Sequence, residues 1–319
     1  MSRVWVLGAG GMLGTALIRE LRRLGANVYQ YREPFDWKNP ERIRAQFVQA
    51  VKEFLAGFSS GDRWEIYWAA GMGSMGSGKA DLGSETAALG SFIASLRDQL
   101  PACKAVGVIG FSSSAGALYA SCTDFEITEA SVVSAANDYA RTKLSQEQML
   151  ESFVSAVDGV QLLIARFSTL FGPGQAFDKR QGLLSHIARC ALKHQPVEIF
   201  VPLDTSRDYL FVDDAARDFI ASSRALCDHG SRLLVKIISA ERSVTISEIV
   251  STFNRLIKKR LRIVCNRNNL SDVYAPRVAY RSIFPLIAGA EFNRHTLLEG
   301  AAVLLHAERM AYIAGSQKK

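Results

Sequence analysis

Arg3-Val4-Trp5-Val6-Leu7-Gly8-Ala9-Gly10-Gly11-Met12-Leu13-Gly14 is the stretch on which the fold turns. Its first half is β-branched, aromatic and apolar, as a buried strand should be. Leu13, Leu17, Leu21 and Leu24 then recur at helical spacing, and Gly25 ends the run. Between strand and helix, Gly8, Gly11 and Gly14 stand three apart. A turn without Cβ atoms lets the backbone approach a pyrophosphate, and the free amides of the helix start face the anion. A merely tight turn could use the same glycines. Their place after the first strand and before an amphipathic helix is what points to a dinucleotide.

The pattern continues outward as alternating strands and helices. A second strand, Asn27 to Arg32, should end at the adenosine ribose. Arg32 there suits a 2′-phosphate and hence NADP, while the adjacent Glu33 could instead take a free 2′-hydroxyl and hence NAD. Phe35-Asp36-Trp37 reads as a very short third strand, with Asp36 near the adenine edge. A helix over Pro40 to Leu55 carries Ile43, Phe47, Val51 and Leu55 on one face. Trp64 to Ala70 is a fourth strand, and the small residues Ala69, Ala70 and Gly71 at its end leave room for a ribose and phosphates. Met72 to Gly83 is a glycine-rich loop, either a cover over the site or a linker. A helix from Ser84 to about Leu100 leads to a fifth strand, Ala105 to Phe111, closed by Ser112-Ser113-Ser114.

Asp138-Tyr139-Ala140-Arg141-Thr142-Lys143 opens another helix, with Leu144, Met149, Leu150 and Phe153 turned towards a core. The spacing of four stacks Tyr139 and Lys143 on one face. A free phenol titrates near ~10, too high for a base at neutral pH, and a nearby ammonium lowers that value. Such a pair can exchange a proton with a substrate hydroxyl while a hydride moves. A hydroxyl at the end of a parallel strand, where ligands sit, can hold the substrate oxygen against the phenol.

Composition narrows the alternatives. The chain has 319 residues, 48% hydrophobic and 22% charged, which argues against disorder and coiled coil. No apolar run approaches the ~20 residues of a membrane span, and no leader precedes the first strand. Five cysteines without a Cys-x-x-Cys pair fit a reducing cytoplasm rather than disulfides or structural zinc. His186, His194 and His295 show no metal spacing. The net charge of +7 suits a site for anionic phosphates, and the dispersed cations argue against a nucleic-acid surface.

In the second half, Val160 to Phe167 is a buried strand broken by Gly172-Pro173-Gly174. A helix (Leu183 to Leu192), a short strand (Val197 to Val201) and a loop with Arg207 follow. Next come a helix from Asp213 to Leu226 and a strand from Leu233 to Ile238. Amphipathic helices over Ile246 to Lys259 and Leu297 to Tyr312 close the chain, with Arg277, Arg281 and Arg294 between them.

Taken together, five motifs in order resemble the extended short-chain dehydrogenase/reductase family, in its nucleotide-sugar epimerase/dehydratase branch. They are Gly8-x-x-Gly11-x-x-Gly14, Ser112-Ser113-Ser114, Tyr139-x-x-x-Lys143, Arg166 to Gln175, and Arg207-Asp208-Tyr209-x-Phe211-Val212-Asp213-Asp214. The resemblance implies an α/β Rossmann-type doubly wound parallel sheet with a smaller C-terminal substrate lobe. Residues 1–168 with 209–239 would bind the dinucleotide, and 169–208 with 240–319 the substrate. It implies that Tyr139 is the acid/base, that Lys143 binds the nicotinamide ribose and lowers the phenol's pKa, and that Ser114 orients the substrate. Arg207 would grip the nucleotide diphosphate, a task suited to a bidentate donor, with Thr169 nearby. The cofactor would be held by Gly8, Gly11, Met12, Leu13 and Gly14, by Arg32, Asp36 and Trp37, by Ala69, Ala70 and Gly71, and by Phe167. A homodimer, a nucleotide-sugar substrate and no metal are further implications.

The departures from the family are specific. Ala115-Gly116-Ala117 follows the serines where 4,6-dehydratases carry an Asp-Glu pair, so water elimination is not expected. No cysteine stands there either, unlike the 3,5-epimerase/4-reductases. Thr169 replaces the asparagine after Arg-x-x, and Ala87-Ala88-Leu89-Gly90-Ser91 replaces Asn-Val-x-Gly-Thr. The expected function is NAD(P)-dependent hydride transfer at C4 of a nucleotide-activated sugar, as a 4-ketoreductase or 4-epimerase, with Arg32 tipping the balance towards NADPH and reduction. A non-sugar carbonyl reductase, or a non-catalytic sensor or RNA-binding relative, are the alternatives.

Overall fold

A computed structural model describes residues 2–71, 78–175, 182–266, 277–284 and 294–316. The core is a six-stranded parallel sheet built from β1 (Ser2–Leu7), β2 (Asn27–Tyr29), β3 (Arg63–Trp68), β4 (Val106–Ser114), β5 (Val160–Phe167) and β9 (Leu233–Ile238). Their order is β2-β1-β3-β4-β5-β9, so the direction of winding reverses beside β1. That switch point opens a crevice at the carboxyl ends of β1 and β3, where ligands settle in such sheets.

Helices cover both faces. α2 (Pro40–Leu55), α3 (Lys79–Gln99) and α5 (Asp138–Ala156) bury one aromatic-rich layer, in which Trp5, Phe47, Phe54, Trp64, Trp68, Phe92, Phe111 and Phe153 interlock. α1 (Met12–Arg23) and α7 (Val212–His229) bury the other, around Leu17, Tyr67, Leu163 and Phe219. The expected face of α2 is fully buried, as its spacing requires. Leu24 is not: it caps α1 and stands exposed, one position beyond the buried stripe.

Past β5 the chain leaves the sheet through β6 (Thr169–Phe171). A second, three-stranded sheet joins β6, β8 (Ser206–Phe211) and β10 (Ser243–Thr245), and β7 (Val197–Ile199) pairs with β11 (Ile263–Cys265). α6 (Leu183–Lys193), α8 (Ile246–Ile257) and α9 (Leu297–Ser316) pack on them around Leu184, Ile187, Ile249, Phe253 and Leu304. Arg189 clamps α6 to α9 by a two-pronged pair with Glu308, at 3.0 and 2.9 Å. β8 runs across the domain boundary expected at residue 208, with both ends in the smaller sheet.

Two expectations need correcting. Phe35-Asp36-Trp37 forms no strand. The Asp36 amide donates to Gln46 Oε1 on α2 at 2.9 Å instead of joining a ladder, and both rings pack on Phe47. β2 is correspondingly the sheet's edge and stops at Tyr29 rather than Arg32. The helix expected from Ser84 begins earlier, at Lys79, so residues 79–83 of the expected glycine-rich loop are helical; residues 72–77, with Gly73 and Gly76, lie outside the described residues.

Candidate active site

The glycine turn is shaped by two different demands. Gly8 has φ +84°, and a Cβ there would lie 2.5 Å from the Ala70 amide nitrogen. A Cβ on Gly14 would stand 2.1 Å from the Gly8 carbonyl oxygen. Both glycines are therefore required by the fold itself, which brings the end of β1 against Ala69 and Ala70; the Ala69 amide continues the ladder to Leu7 at 2.9 Å. Gly11 is different. It is exposed, and its nearest obstacle to a Cβ is the Gly8 oxygen at 3.4 Å. Packing does not demand a glycine there, but an approaching anion would.

Gly11 is the N-cap of α1, so the amides of Met12, Leu13 and Gly14 have no acceptor within the helix. Leu13 offers only that amide, because its side chain is in the core. The cradle thus fits a pyrophosphate on two counts, open space and unpaired donors. A groove of about 410 Å³ runs from Gly8, Ala9 and Gly10 past Thr15 and Arg22 to Tyr31, Glu33, Phe35 and Trp37. Glu33 lines it. Arg32 does not: its guanidinium is exposed and leans to Glu53 on α2 at 3.7 Å. The Asp36 carboxylate also turns away, towards Arg42 at 3.8 Å.

α5 begins where the Asn137 side chain caps the Ala140 amide at 2.8 Å. From there Tyr139, Lys143 and Glu147 repeat every four residues on the face turned to the sheet. Glu147 is buried and takes a two-pronged ion pair from Arg166 of β5, at 3.1 and 2.7 Å, plus the Ser113 hydroxyl at 2.5 Å. Arg166 in turn donates to the Tyr119 hydroxyl at 2.7 Å. Burial opposes the charge on Arg166, yet the Glu147 carboxylate outweighs it and raises the guanidinium's pKa. This network bolts α5 to β4 and β5 one turn beyond Lys143, and the motif reading did not find it.

Lys143 is dry, with 5% of its side chain exposed. Its Nζ donates to Glu85 Oε1 of α3 at 2.9 Å and to Gln146 Oε1 at 3.1 Å. It also sits 5.2 Å above the Phe111 ring and 5.9 Å from the Tyr139 ring centroid. Burial works against its charge, but Tyr139 and Glu85 more than restore it, and the pKa lies above the usual lysine value. Lys143 is therefore an ammonium at neutral pH. Glu85 was not legible beforehand, although an acid among the small residues opening α3 is a signal. A Cβ on Gly71 would come within 3.3 Å of its Oε1, so Gly71 gives the carboxylate room at the crevice.

Ser114 ends β4 and caps the short α4 (Ala115–Leu118), its Oγ accepting the Ala117 amide at 3.3 Å. Sheet register sets it beside Phe167, and β6 pairs Thr169 with Tyr209. Arg207, two residues before Tyr209, is thereby brought level with the end of β5. Thr169 is exposed. Arg207 Nη1 donates to the Ser206 carbonyl at 2.7 Å. The guanidinium opposes the burial that raises the Tyr280 phenol, and Tyr280 packs with Ala115 and Tyr119 beside Ser114. The other two residues of the motif are structural. Buried Asp208 accepts the Ala240 and Arg242 amides at 2.9 and 3.1 Å, and burial raises its pKa. Tyr209 is pushed up to about 12 by burial.

Residues 4–229 match the model of the NAD dependent epimerase/dehydratase family. The chain belongs to that family. Its expected Rossmann-type fold and extended short-chain dehydrogenase/reductase character are borne out. Among relatives, dTDP-4-dehydro-6-deoxyglucose reductase of Escherichia coli is 25% identical over 150 residues, 47% of this chain and 46% of that one. UDP-glucuronate 4-epimerase of Thermodesulfobacterium geofontis is 25% identical over 122 residues, 38% and 35% of the two chains. The matched stretches thus span less than half of either relative. Among solved structures, MoeE5 in complex with UDP-glucose and NAD superposes with a TM-score of 0.75 at 20% identity, over 97% of this chain and 99% of that one. UDP-glucose-4-epimerase of Stenotrophomonas maltophila, with bound NAD and formylated UDP-arabinopyranose, gives 0.76 at 18% identity, over 98% and 99%. Among the described residues no helix is long and apolar enough to cross a membrane, and no cluster of His, Cys, Asp or Glu could hold a metal ion.

Proposed function

We propose that this protein is an NAD(P)-dependent oxidoreductase or epimerase of a nucleotide-activated sugar, working at C4, and that it acts as a 4-ketoreductase. The observation that carries this reading is the stacking of Tyr139 over a buried, charged Lys143 on the face of α5 turned to the sheet. Residues 1–168 with 212–239 bind the dinucleotide, and 169–211 with 240–319 bind the substrate, β8 going whole with the smaller sheet. The amides of Met12, Leu13 and Gly14 take the pyrophosphate, Ala69, Ala70 and Gly71 border its path, and Phe167 closes the site beside Ser114. When bound, the nicotinamide supplies the hydride. Ser114 holds the keto oxygen, Tyr139 gives it a proton, Lys143 steadies the phenolate left behind, and Arg207 anchors the diphosphate with Thr169 at its side.

Reduction is our choice of outcome: the Escherichia coli relative bears the name of a 4-keto sugar reductase, while the Thermodesulfobacterium geofontis relative bears that of a 4-epimerase. NADP is our choice of dinucleotide. Arg22 lines the adenosine end of the groove. The pair that holds Arg32 is long and exposed, hence weak enough for a 2′-phosphate to displace. We place the enzyme in the cytoplasm, as a homodimer.

The test is turnover of NADPH and NADH with a panel of UDP-, GDP- and dTDP-linked 4-keto sugars, read by loss of the reduced nicotinamide absorbance. Sugar products are resolved by chromatography. Tyr139→Phe should abolish turnover and leave the dinucleotide Kd within a few-fold; wild-type rates in that variant would refute the assignment. Arg207→Ala should abolish turnover of sugar nucleotides, and full activity on simple carbonyl compounds in its place would favour the non-sugar reductase.

A further inference from the structure

The acid that reaches Lys143 comes from another helix. Glu85 stands on the second turn of α3, with 8% of its side chain exposed, and its Oε1 takes both Lys143 Nζ at 2.9 Å and Gln146 Nε2 at 3.3 Å. Gln146 is itself fully buried and reaches Thr86 Oγ1 at 3.3 Å, so the ammonium is held in a closed polar cluster between α3 and α5. A charge in so dry a place acts over its neighbours far more strongly than one in water. The other ionic groups nearby are already engaged. Glu147 is paired by Arg166, and Asp138, at the start of α5, is bonded by Arg141 with Lys79 in its field. Glu85 is thus the carboxylate bonded directly to Lys143, while Glu147 acts on the ammonium only through space.

We propose that Glu85 is a positioning residue for proton transfer at Tyr139, fixing Lys143 Nζ and offsetting part of its charge so that the phenol keeps its proton until a keto oxygen takes it. This rests on the reading of Tyr139 as the acid/base. In the step itself, the phenolic O–H bond breaks and a new O–H bond forms on the sugar oxygen. The carbonyl is reduced by the hydride of the reduced nicotinamide, and the phenolate regains a proton from solvent. An ammonium without Glu85 would favour the phenolate, the form that oxidation of an alcohol needs.

The experiment follows one phenol through its titration. The alkaline absorbance difference between the protein and its Tyr139→Phe counterpart reads that tyrosinate without cofactor or substrate. In Glu85→Gln the midpoint should fall by about one pH unit, as expected for loss of a close charge. The high-pH limb of ketone reduction should move with it. Glu85→Ala should shift both in the same direction, which keeps the test open should the Gln variant fail to fold. Glu85→Asp, which retains the charge, should leave them within a few tenths. Unmoved midpoints in folded Gln or Ala variants overturn the proposal, and so does an equal shift in the Asp variant. A shifted midpoint in a protein that turns over no sugar nucleotide would sustain the role of Glu85 and sink the substrate assignment instead.

Discussion

Gly11 and Gly14 belong to one motif, yet replacing each by alanine should do opposite things. At Gly14 the new Cβ would lie 2.1 Å from the Gly8 oxygen and 2.7 Å from its carbonyl carbon. Both are backbone atoms that cannot swing aside, so β1 and α1 must move apart. Overpacking of this kind costs roughly 2–3 kcal/mol, which lowers Tm by about 3–5 °C in a chain of this size. At Gly11 the Cβ meets only the Gly8 oxygen, at 3.4 Å, and the residue is exposed. Replacing glycine by alanine at an N-cap costs at most about 1 kcal/mol, so the melt should move by no more than about 1.5 °C. Its methyl group, however, projects where a pyrophosphate must come to reach the helix-start amides. Losing one charge-assisted hydrogen bond there, about 1.5–3 kcal/mol, raises the dinucleotide Kd roughly 10- to 100-fold. Calorimetric melting and titration by energy transfer from tryptophan to the reduced nicotinamide give the two numbers. Gly11→Ala binding as tightly as wild type would refute the placement of the cofactor. Gly14→Ala melting like wild type would refute the packing.

Arg32→Ala should weaken NADP by about tenfold or more and NAD hardly at all, as loss of one phosphate contact requires; equal losses in a paired titration would hand the ribose to Glu33. Glu147→Leu strands the Arg166 guanidinium in a nearly dry site and should cost about 3–5 kcal/mol of stability by denaturant unfolding. Adding Arg166→Met should recover most of it, whereas a single variant losing less than about 1 kcal/mol would mean that the network does not brace α5.

Much of this architecture could be read from the chain because the signals were local. β5 and β9 have the bounds expected of them, each being a mostly apolar run between turn residues. The aromatic pair Phe35 and Trp37 imitated a strand by its period of two. A side chain of α2 takes the backbone donor between them, and no periodicity shows that. The three-residue strands β6 and β10 were invisible for a related reason: they exist only by pairing with β8, and a run so short has no pattern of its own. Glu85 was missed because its partner is 58 residues away. Site residues that act through a motif were legible, and those that act on a motif from another element were not.

The Arg207-Asp208-Tyr209 motif shows how the two kinds cooperate. Its most polar-looking member does no chemistry: Asp208 is buried and spends its carboxylate on the amides of Ala240 and Arg242, fixing the turn between β9 and β10. Tyr209 packs into the core of the smaller lobe. Arg207, next to them on β8 and paired in register with Val244, cannot drift from the level of Ser114. On the reading proposed above, a diphosphate held at that level would leave the sugar to pivot about its linkage over Tyr139, and the loops between Arg207 and Ser114 would choose among sugars. Glu85, acting through Lys143, would then govern the pH range over which Tyr139 gives its proton, and leave the equilibrium of the reaction untouched.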